Sequence, residues 1–196
     1  MTHFYNASFP PNGPWDPRLS TLACTELVPV ETLHENPWYS VRNRGGFFTV
    51  EYRLRQVVVL PVVDQNSIVM IRVKRPVIND APLELPAGAI EKGEDVAAGA
   101  ARELLEETGI KVTNLNRFIS MAPISVSSTR NPNLSYIFKV EISEKEYFNR
   151  QPHDDEICSV ERFAINDLAK KMTSGEIYVS LSLAVLGIFM ISRQPP

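Results

Sequence analysis

The stretch Asp95–Thr108 (DVAAGAARELLEET) constrains this chain most, because it demands a helix and loads one side of that helix with carboxylates. Ala97, Ala98, Ala100, Ala101, Leu104 and Leu105 are good helix formers and supply a close-packing side. Asp95 suits the N-cap or first turn, and Gly109 supplies the stop. Positions i, i+3 and i+4 share a helix face, so Glu103, Glu106 and Glu107 point the same way. Carboxylates crowded like this repel one another. A solvated surface tolerates them, but a hard divalent cation explains them better, because Mg²⁺ and Mn²⁺ prefer carboxylate oxygens, water and phosphate. Upstream, Gly88 and Gly93 allow a tight loop whose backbone groups face a ligand, and Glu94 is placed to pair with Arg102 and hold that loop on the helix.

The flanks read as strands. Cys24–Val30, Trp38–Arg44 and Phe47–Arg53 are three candidates, and Gly45-Gly46 is a hairpin turn between the last two. They predict a small antiparallel sheet ahead of the main domain. Gln56–Val63, a β-branched run broken by Pro61, and Ile68–Val73 form a second hairpin. Residues 74–83 read as a loop opening with the cations Lys74 and Arg75. Val112–Met121, Leu134–Ile142 and Ile157–Phe163 are further strands, with loops at 122–133 and 143–156. A short helix over Asn166–Met172, a turn at Gly175 and a helix over Glu176–Ile191 close the chain; Leu181, Leu183, Leu186 and residues 188–191 need a packing surface. The implied organisation is an irregular segment 1–20, a small β region 21–51 and a main domain 52–196.

The segment GAIEKGEDVAAGAARELLEETGI, 23 residues from Gly88 to Ile110, resembles the Nudix box. Gly88 is followed after five residues by Glu94 and, after seven more, by Arg102-Glu103-Leu104, Leu105, Glu106-Glu107, Thr108, Gly109 and Ile110. The resemblance implies an α+β fold, an α/β/α sandwich with a mixed β-sheet and the box helix packed against it. It implies Glu103, Glu106 and Glu107 as metal ligands, helped by the Ala87 carbonyl, with Arg102 orienting the carboxylates. It implies Mg²⁺, with Mn²⁺ as a substitute, and hydrolysis of a diphosphate bond.

The flanks are similar to the ADP-ribose and nucleoside-diphosphate-sugar pyrophosphatase branch. Glu35-Asn36-Pro37-Trp38 with Val41-Arg42, the lead-in Glu84-Leu85-Pro86-Ala87-Gly88, and Met172–Leu186 carry this likeness. It implies a homodimer in which N-terminal strands pack across the partner. Trp38, Tyr39, Phe47 and Phe48 are candidates for that interface, for base stacking or for the core of the small sheet. Lys74 and Arg75, and less directly Arg53 and Arg55, are candidate phosphate contacts. The span 123–133 (PISVSSTRNPN) departs from the branch, which usually carries its proline further past the box; Arg130 within it is a candidate phosphate or sugar contact. For the general base the resemblance points to an acid on a late loop before a strand, hence Glu156 or Asp155, with His153 as the alternative. Other expected readings are hydrolysis of a dinucleoside polyphosphate, NADH, a nucleoside triphosphate or coenzyme A, an isoprenoid diphosphate isomerase, and a non-catalytic binding protein on the same fold. The intact box carboxylates favour hydrolysis.

Composition narrows the partners. A net charge of -3 over 196 residues lacks the basic footprint of a nucleic-acid binder. Cys24 and Cys158 form neither a metal-ligand spacing nor a disulfide framework. The first residues lack a basic region followed by an apolar run, and the apolar stretch 181–191 is about half a bilayer span. The expectation is a cytoplasmic protein without a membrane partner.

Overall fold

A computed structural model describes residues 27–193. A three-stranded antiparallel sheet leads: β1 (Val30–Glu35), β2 (Tyr39–Arg44) and β3 (Phe47–Tyr52), in the order β1-β2-β3. The β2–β3 hairpin turns as expected, with Gly45 at φ 58 and Gly46 at φ 92, the left-handed values a two-residue turn of this kind needs. Among the described residues the first strand starts at Val30, where the expected one ends, and runs on to Glu35, in register with β2 from Val30↔Arg44 to Glu35↔Ser40. The expected irregular segment 1–20, and residues 24–26 of that expected strand, fall outside the described residues.

The main sheet is mixed. Its strands are β4 (Gln56–Val63), β5 (Ser67–Val73), β6 (Leu83–Glu84), β7 (Ala87–Ala89), β8 (Ile119–Ser127), β9 (Asn131–Ile142) and β10 (Ile157–Ala164). The order is β10-β5-β4-β9-β8, with β6 on β5 and β7 on β4; β4 runs parallel to β9 and antiparallel to its other partners. β4 is hydrophobic on both faces because both are covered. Val57, Val59 and Val63 pack with the box helix α1 (Val96–Thr108), through Val96, Ala100 and Leu104. Val58, Leu60 and Val62 pack on the other side with Leu168, Val185, Leu186 and Phe189. Those residues belong to α3 (Ile165–Thr173) and α4 (Ser180–Ser192), so the sandwich is helix, sheet, helix.

Pro61 sits inside this central strand without breaking it. Val59 N–H donates to Pro86 O, and two residues on, Pro61 turns its nitrogen to the same edge. Pairing with β5 on that edge begins only at Val62↔Ile68, so no ladder bond needs the missing N–H.

Two loop assignments give way to regular structure, and one strand and one helix begin later than expected. The span 122–133 is mostly strand, because β8 runs to Ser127 and β9 starts at Asn131, leaving a tight turn at 128–130. The strand expected over Val112–Met121 begins only at Ile119, after a 3-10 turn at Leu115–Arg117. The acidic span 143–156 opens with a short helix, α2 (Glu144–Phe148), whose Ser143 and Glu146 form a reciprocal capping box. The last helix starts at Ser180, not Glu176, and presents Ser182, Val185, Leu186 and Phe189 to the sheet while Ile188 and Ile191 face out. Among the described residues no helix is long and apolar enough to cross a membrane.

Arg117 joins three of these pieces. Its guanidinium donates to both Glu146 carboxylate oxygens, at 2.6 and 2.9 Å, and to the Glu141 carbonyl on β9. The Arg117 hydrogen bonds, with help from the Ser143 backbone and hydroxyl, hold Glu146 down to about 2. A carboxylate depressed in the fold contributes stability above its ordinary value, and that stability is lost as pH falls through the folded value. Thermal melts from pH 7 to pH 2 are therefore expected to show wild type more stable than Glu146→Gln at pH 7, with the gap closing between about pH 5 and pH 2. A gap that stays constant with pH would refute the pairing.

Candidate functional site

The box helix starts and stops as its sequence requires. Asp95 caps it, accepting from Ala97 N–H at 2.9 Å and Ala98 N–H at 3.2 Å. Gly109 ends it at φ 71, with its N–H on Leu105 O. The buried side is narrower than the alanine pattern suggests: Val96, Gly99, Ala100, Glu103, Leu104 and Thr108 face inward, while Ala97, Ala98 and Leu105 are half-buried.

Glu103 is thus buried at the edge of the core, and Glu107 follows one turn later. Glu107 Oε2 accepts Ala87 N–H at 2.7 Å, tying the helix to β7. Burial pushes Glu107 up to about 8; the Ala87 N–H opposes that rise and the nearby Glu103 carboxylate adds to it. Burial also raises Glu103, against the pull of Arg102. Gly88 lies where a Cβ would meet the Glu103 carboxylate at 2.2 Å. Its φ is not among the left-handed ones, so the glycine is required for room rather than for the bend expected of it.

Arg102 collects the rest. Its Nε and Nη2 donate to the Glu94 carboxylate at 3.0 and 3.1 Å, Nη1 to Glu103 at 2.9 Å and Glu106 at 2.8 Å, and Nη2 to Ala89 O at 2.7 Å. The expected pairing of Glu94 with Arg102 is present, and it holds Glu94 below the usual carboxylate range. All five guanidinium N–H groups are engaged, which no lysine could reproduce.

The late acidic loop lies against the far end of this helix. Gln151 N–H donates to Gly109 O at 2.8 Å and Asp154 N–H to Glu106 O at 2.9 Å. Lys74 N–H reaches back to Glu156 O at 3.0 Å. A Cβ on Gly109 would sit 1.8 Å from Gln151 O, so this glycine serves the close approach as well as the left-handed turn. A cavity of about 590 Å³ opens here, and Lys74, Arg75, Glu84 and Glu156 contribute to its lining.

Glu84 had no signal in the sequence beyond lying between Leu83 and Leu85 in an apolar lead-in. It is buried and accepts from Arg75 Nε and Nη2, both at 2.8 Å. Arg75 is raised, first by that pairing and also by the Glu107 and Glu156 carboxylates.

The structure gathers Ala87, Arg102, Glu103, Glu106 and Glu107 around β7, and Lys74, Arg75 and Glu156 beside them. Asp155 is exposed and does not contribute to the lining of the cavity; His153 is exposed with Nδ1 near Asp154 O. Trp38, Arg53 and Arg130 do not line that cavity; Arg53 lines another, of about 550 Å³, with residues 90–93 of the box loop. Trp38 is exposed at the end of the small sheet, and Arg53 pairs there with Glu35 at 3.0 Å. Arg130 sits on the β8–β9 turn, donating to Phe48 O at 3.1 Å, so it fastens the two sheets together.

Among the described residues no three His, Cys, Asp or Glu side chains are already drawn together as a metal cage. The donor set nonetheless fits a hard divalent cation. Glu103 and Glu107 are both raised first by burial, Glu103 further by the Glu106 and Glu94 carboxylates and Glu107 by those of Glu103 and Glu84, and a cation among them would relieve both effects.

The chain matches the NUDIX domain family over residues 52–181. It is 30% identical over 125 residues to the ADP-ribose pyrophosphatase of Bacillus subtilis (strain 168), covering 62% of this chain and 64% of that protein. It is 31% identical over 128 residues to the ADP-sugar pyrophosphatase of Mus musculus, covering 59% and 56%. Over a shorter stretch of 66 residues it is 41% identical to the methanol dehydrogenase activator of Bacillus methanolicus, covering 34% and 36%. The matched region is thus less than two-thirds of the length of each of these relatives. With the sandwich fold and a box helix whose carboxylates converge on one loop, the match over 52–181 makes this chain a member of the Nudix domain family, a fold that supports pyrophosphatase-type hydrolysis.

Proposed function

We propose that this chain hydrolyses the diphosphate bond of ADP-ribose or a related nucleoside-diphosphate sugar, giving a nucleoside monophosphate and a sugar phosphate. The observation that carries this reading is the buried Glu103 and half-buried Glu107, both raised, facing a loop in which Gly88 leaves room for the Glu103 carboxylate. The likeness to an ADP-ribose pyrophosphatase and an ADP-sugar pyrophosphatase supports the substrate class.

Glu103, Glu106, Glu107 and the Ala87 carbonyl would hold Mg²⁺, or Mn²⁺ in its place. When bound, such an ion neutralises the diphosphate and polarises phosphorus. Arg102 spends every donor on Glu94, Glu103, Glu106 and Ala89, so it positions the carboxylates and does not reach substrate. Glu156 takes the proton of the attacking water, as the late-loop acid on the cavity wall. The new bond joins the water oxygen to phosphorus, the bond from that phosphorus to the bridging oxygen breaks, and the bridging oxygen leaves on the other phosphate. Lys74 and Arg75 lie beside that departing charge.

The small sheet has its faces inverted. Ser40, Arg44, Thr49 and Glu51 are buried, and Arg44 donates to both Glu51 oxygens at 2.7 and 3.0 Å. Phe48, Val50 and Tyr52 alternate outward and stay exposed, with Phe47 and Trp38 nearby. An apolar sheet face of this kind suits a second copy of the chain, and we assign residues 21–51 and this face to a homodimer contact.

Product analysis on ADP-ribose, ADP-sugars, NADH, nucleoside triphosphates, dinucleoside polyphosphates and coenzyme A tests the reading. AMP and ribose 5-phosphate are expected from ADP-ribose with Mg²⁺. Glu107→Gln is expected to abolish turnover, and Glu156→Gln to lower kcat by about 10²–10⁴. Arg102→Lys is expected to weaken metal activation by about 10–100-fold with the fold intact by circular dichroism. Full activity in Glu107→Gln would sink the mechanism. For the interface, sedimentation should show a dimer in wild type and a monomer in Phe48→Asp/Val50→Lys; a wild-type monomer at micromolar concentration would remove the assignment.

A further inference from the structure

The loop between β5 and β6, residues 74–82, is a built turn. Arg75 and Asp80 pair across it, Ile78 N–H and Asn79 N–H donate to Arg75 O and Pro76 O, and Asn79 adopts a left-handed φ of 52. Its base is held from outside by two further contacts. Glu84 grips the Arg75 guanidinium, and the Tyr178 hydroxyl donates to Asp80 Oδ2 at 2.6 Å. The tip is therefore fastened, yet it presents Val77 at 99% exposure and Ile78 at 56%. A single exposed aliphatic needs no explanation. Two adjacent ones at the lip of the cavity beside the helix acids do.

That cavity, about 590 Å³, falls in the range of small-molecule sites. Its polar lining is wholly ionic: Lys74, Arg75, Glu84 and Glu156. The remaining described wall is aliphatic, with Pro76, Pro82 and Val179 beside the loop tip. Arg75 is committed to Glu84, but among the described residues the Lys74 ammonium has no carboxylate partner. One cation free to meet an anion thus stands beside a wall suited to a flat apolar face.

We propose that this cavity seats the nucleoside monophosphate half of the substrate, with phosphate against Lys74 and the face of the base against Val77 and Ile78. The loop tip then selects an aromatic group over a polyhydroxyl one. This rests on the pyrophosphatase reading, because the cavity meets the helix acids through Arg75.

The test uses the full chain with Mg²⁺ and three probes: AMP, ribose 5-phosphate and inorganic phosphate. Affinities come from calorimetry, and the Val77 and Ile78 methyl signals are followed by NMR. AMP is expected to bind at least about tenfold tighter than ribose 5-phosphate and to shift both methyl signals. Val77→Ser/Ile78→Ser, at the exposed tip, should bring the two within about twofold while leaving inorganic phosphate unchanged, and Lys74→Ala should weaken all three. Equal binding of AMP and ribose 5-phosphate, or an unchanged ratio in the double variant, overturns the proposal. Turnover of ADP-ribose with the methyl signals unmoved by AMP keeps the activity and overturns the cavity assignment. The AMP preference without turnover of any diphosphate keeps the assignment and overturns the activity.

Discussion

The site depends on one guanidinium. Arg102 reaches the loop through Glu94 and the Ala89 carbonyl, and its own helix through Glu103 and Glu106. Without it, the buried Glu103 and the half-buried Glu94 and Glu106 would face one another with nothing positive among them, and desolvation would favour their neutral forms. With it, Glu103 and Glu106 are held in place while Glu107 is left to the Ala87 N–H. That division matters chemically. The carboxylate with no hydrogen bond to an arginine is the one that burial raises to about 8, so it gains most from a cation arriving. The arginine thus organises the acids while leaving one of them electrostatically unsatisfied.

The box helix can hold this arrangement only because β4 anchors it. Val57, Val59 and Val63 lock one face of the strand to Val96, Ala100 and Leu104. On the same strand, Gln56–Val58 pairs with β7, the segment that carries Ala87 and Gly88. One strand therefore positions both the helix with the carboxylates and the backbone that meets them. At Gly88 the constraint is steric: a Cβ there would meet the Glu103 carboxylate that Arg102 holds.

What the sequence made legible follows from periodicity. Glu103, Glu106 and Glu107 could be placed on one face because helical spacing is rigid, and Asp95 and Gly109 marked the ends by chemistry that acts within a few residues. β4 and its hairpin with β5 were legible from β-branched runs. The long β8–β9 hairpin was not, since Pro123, Pro132 and a run of serines look like loop when read locally; strand pairing from Ile119↔Lys139 to Ser127↔Asn131 overrides them. Glu84 was invisible for a related reason. A buried acid on a two-residue strand has no period, and its partner Arg75 lies across a turn whose closure no local rule dictates. Arg130 pointed the other way: a cation in a polar segment suggests a ligand, but its guanidinium is used to join the two sheets.

The late acidic loop is bound into the same frame. Its chain is stitched to the end of the box helix at Gly109 and Glu106, and its last residue, Glu156, accepts from Lys74 at the start of the 74–82 turn. The loop therefore cannot shift without disturbing the helix carrying Glu106 and the turn carrying Arg75. Glu84 closes the circuit, because it grips Arg75 from β6, and β6 pairs with β5 at Ile71↔Glu84. Helix acids, late-loop acid and cationic turn thus form one connected unit, joined mainly by backbone hydrogen bonds that side-chain substitution leaves in place. On such a frame the exposed residues at the rim, Val77 and Ile78 among them, can vary with little effect on the carboxylates. That separates the part of the molecule that chooses a ligand from the part that would act on its phosphates.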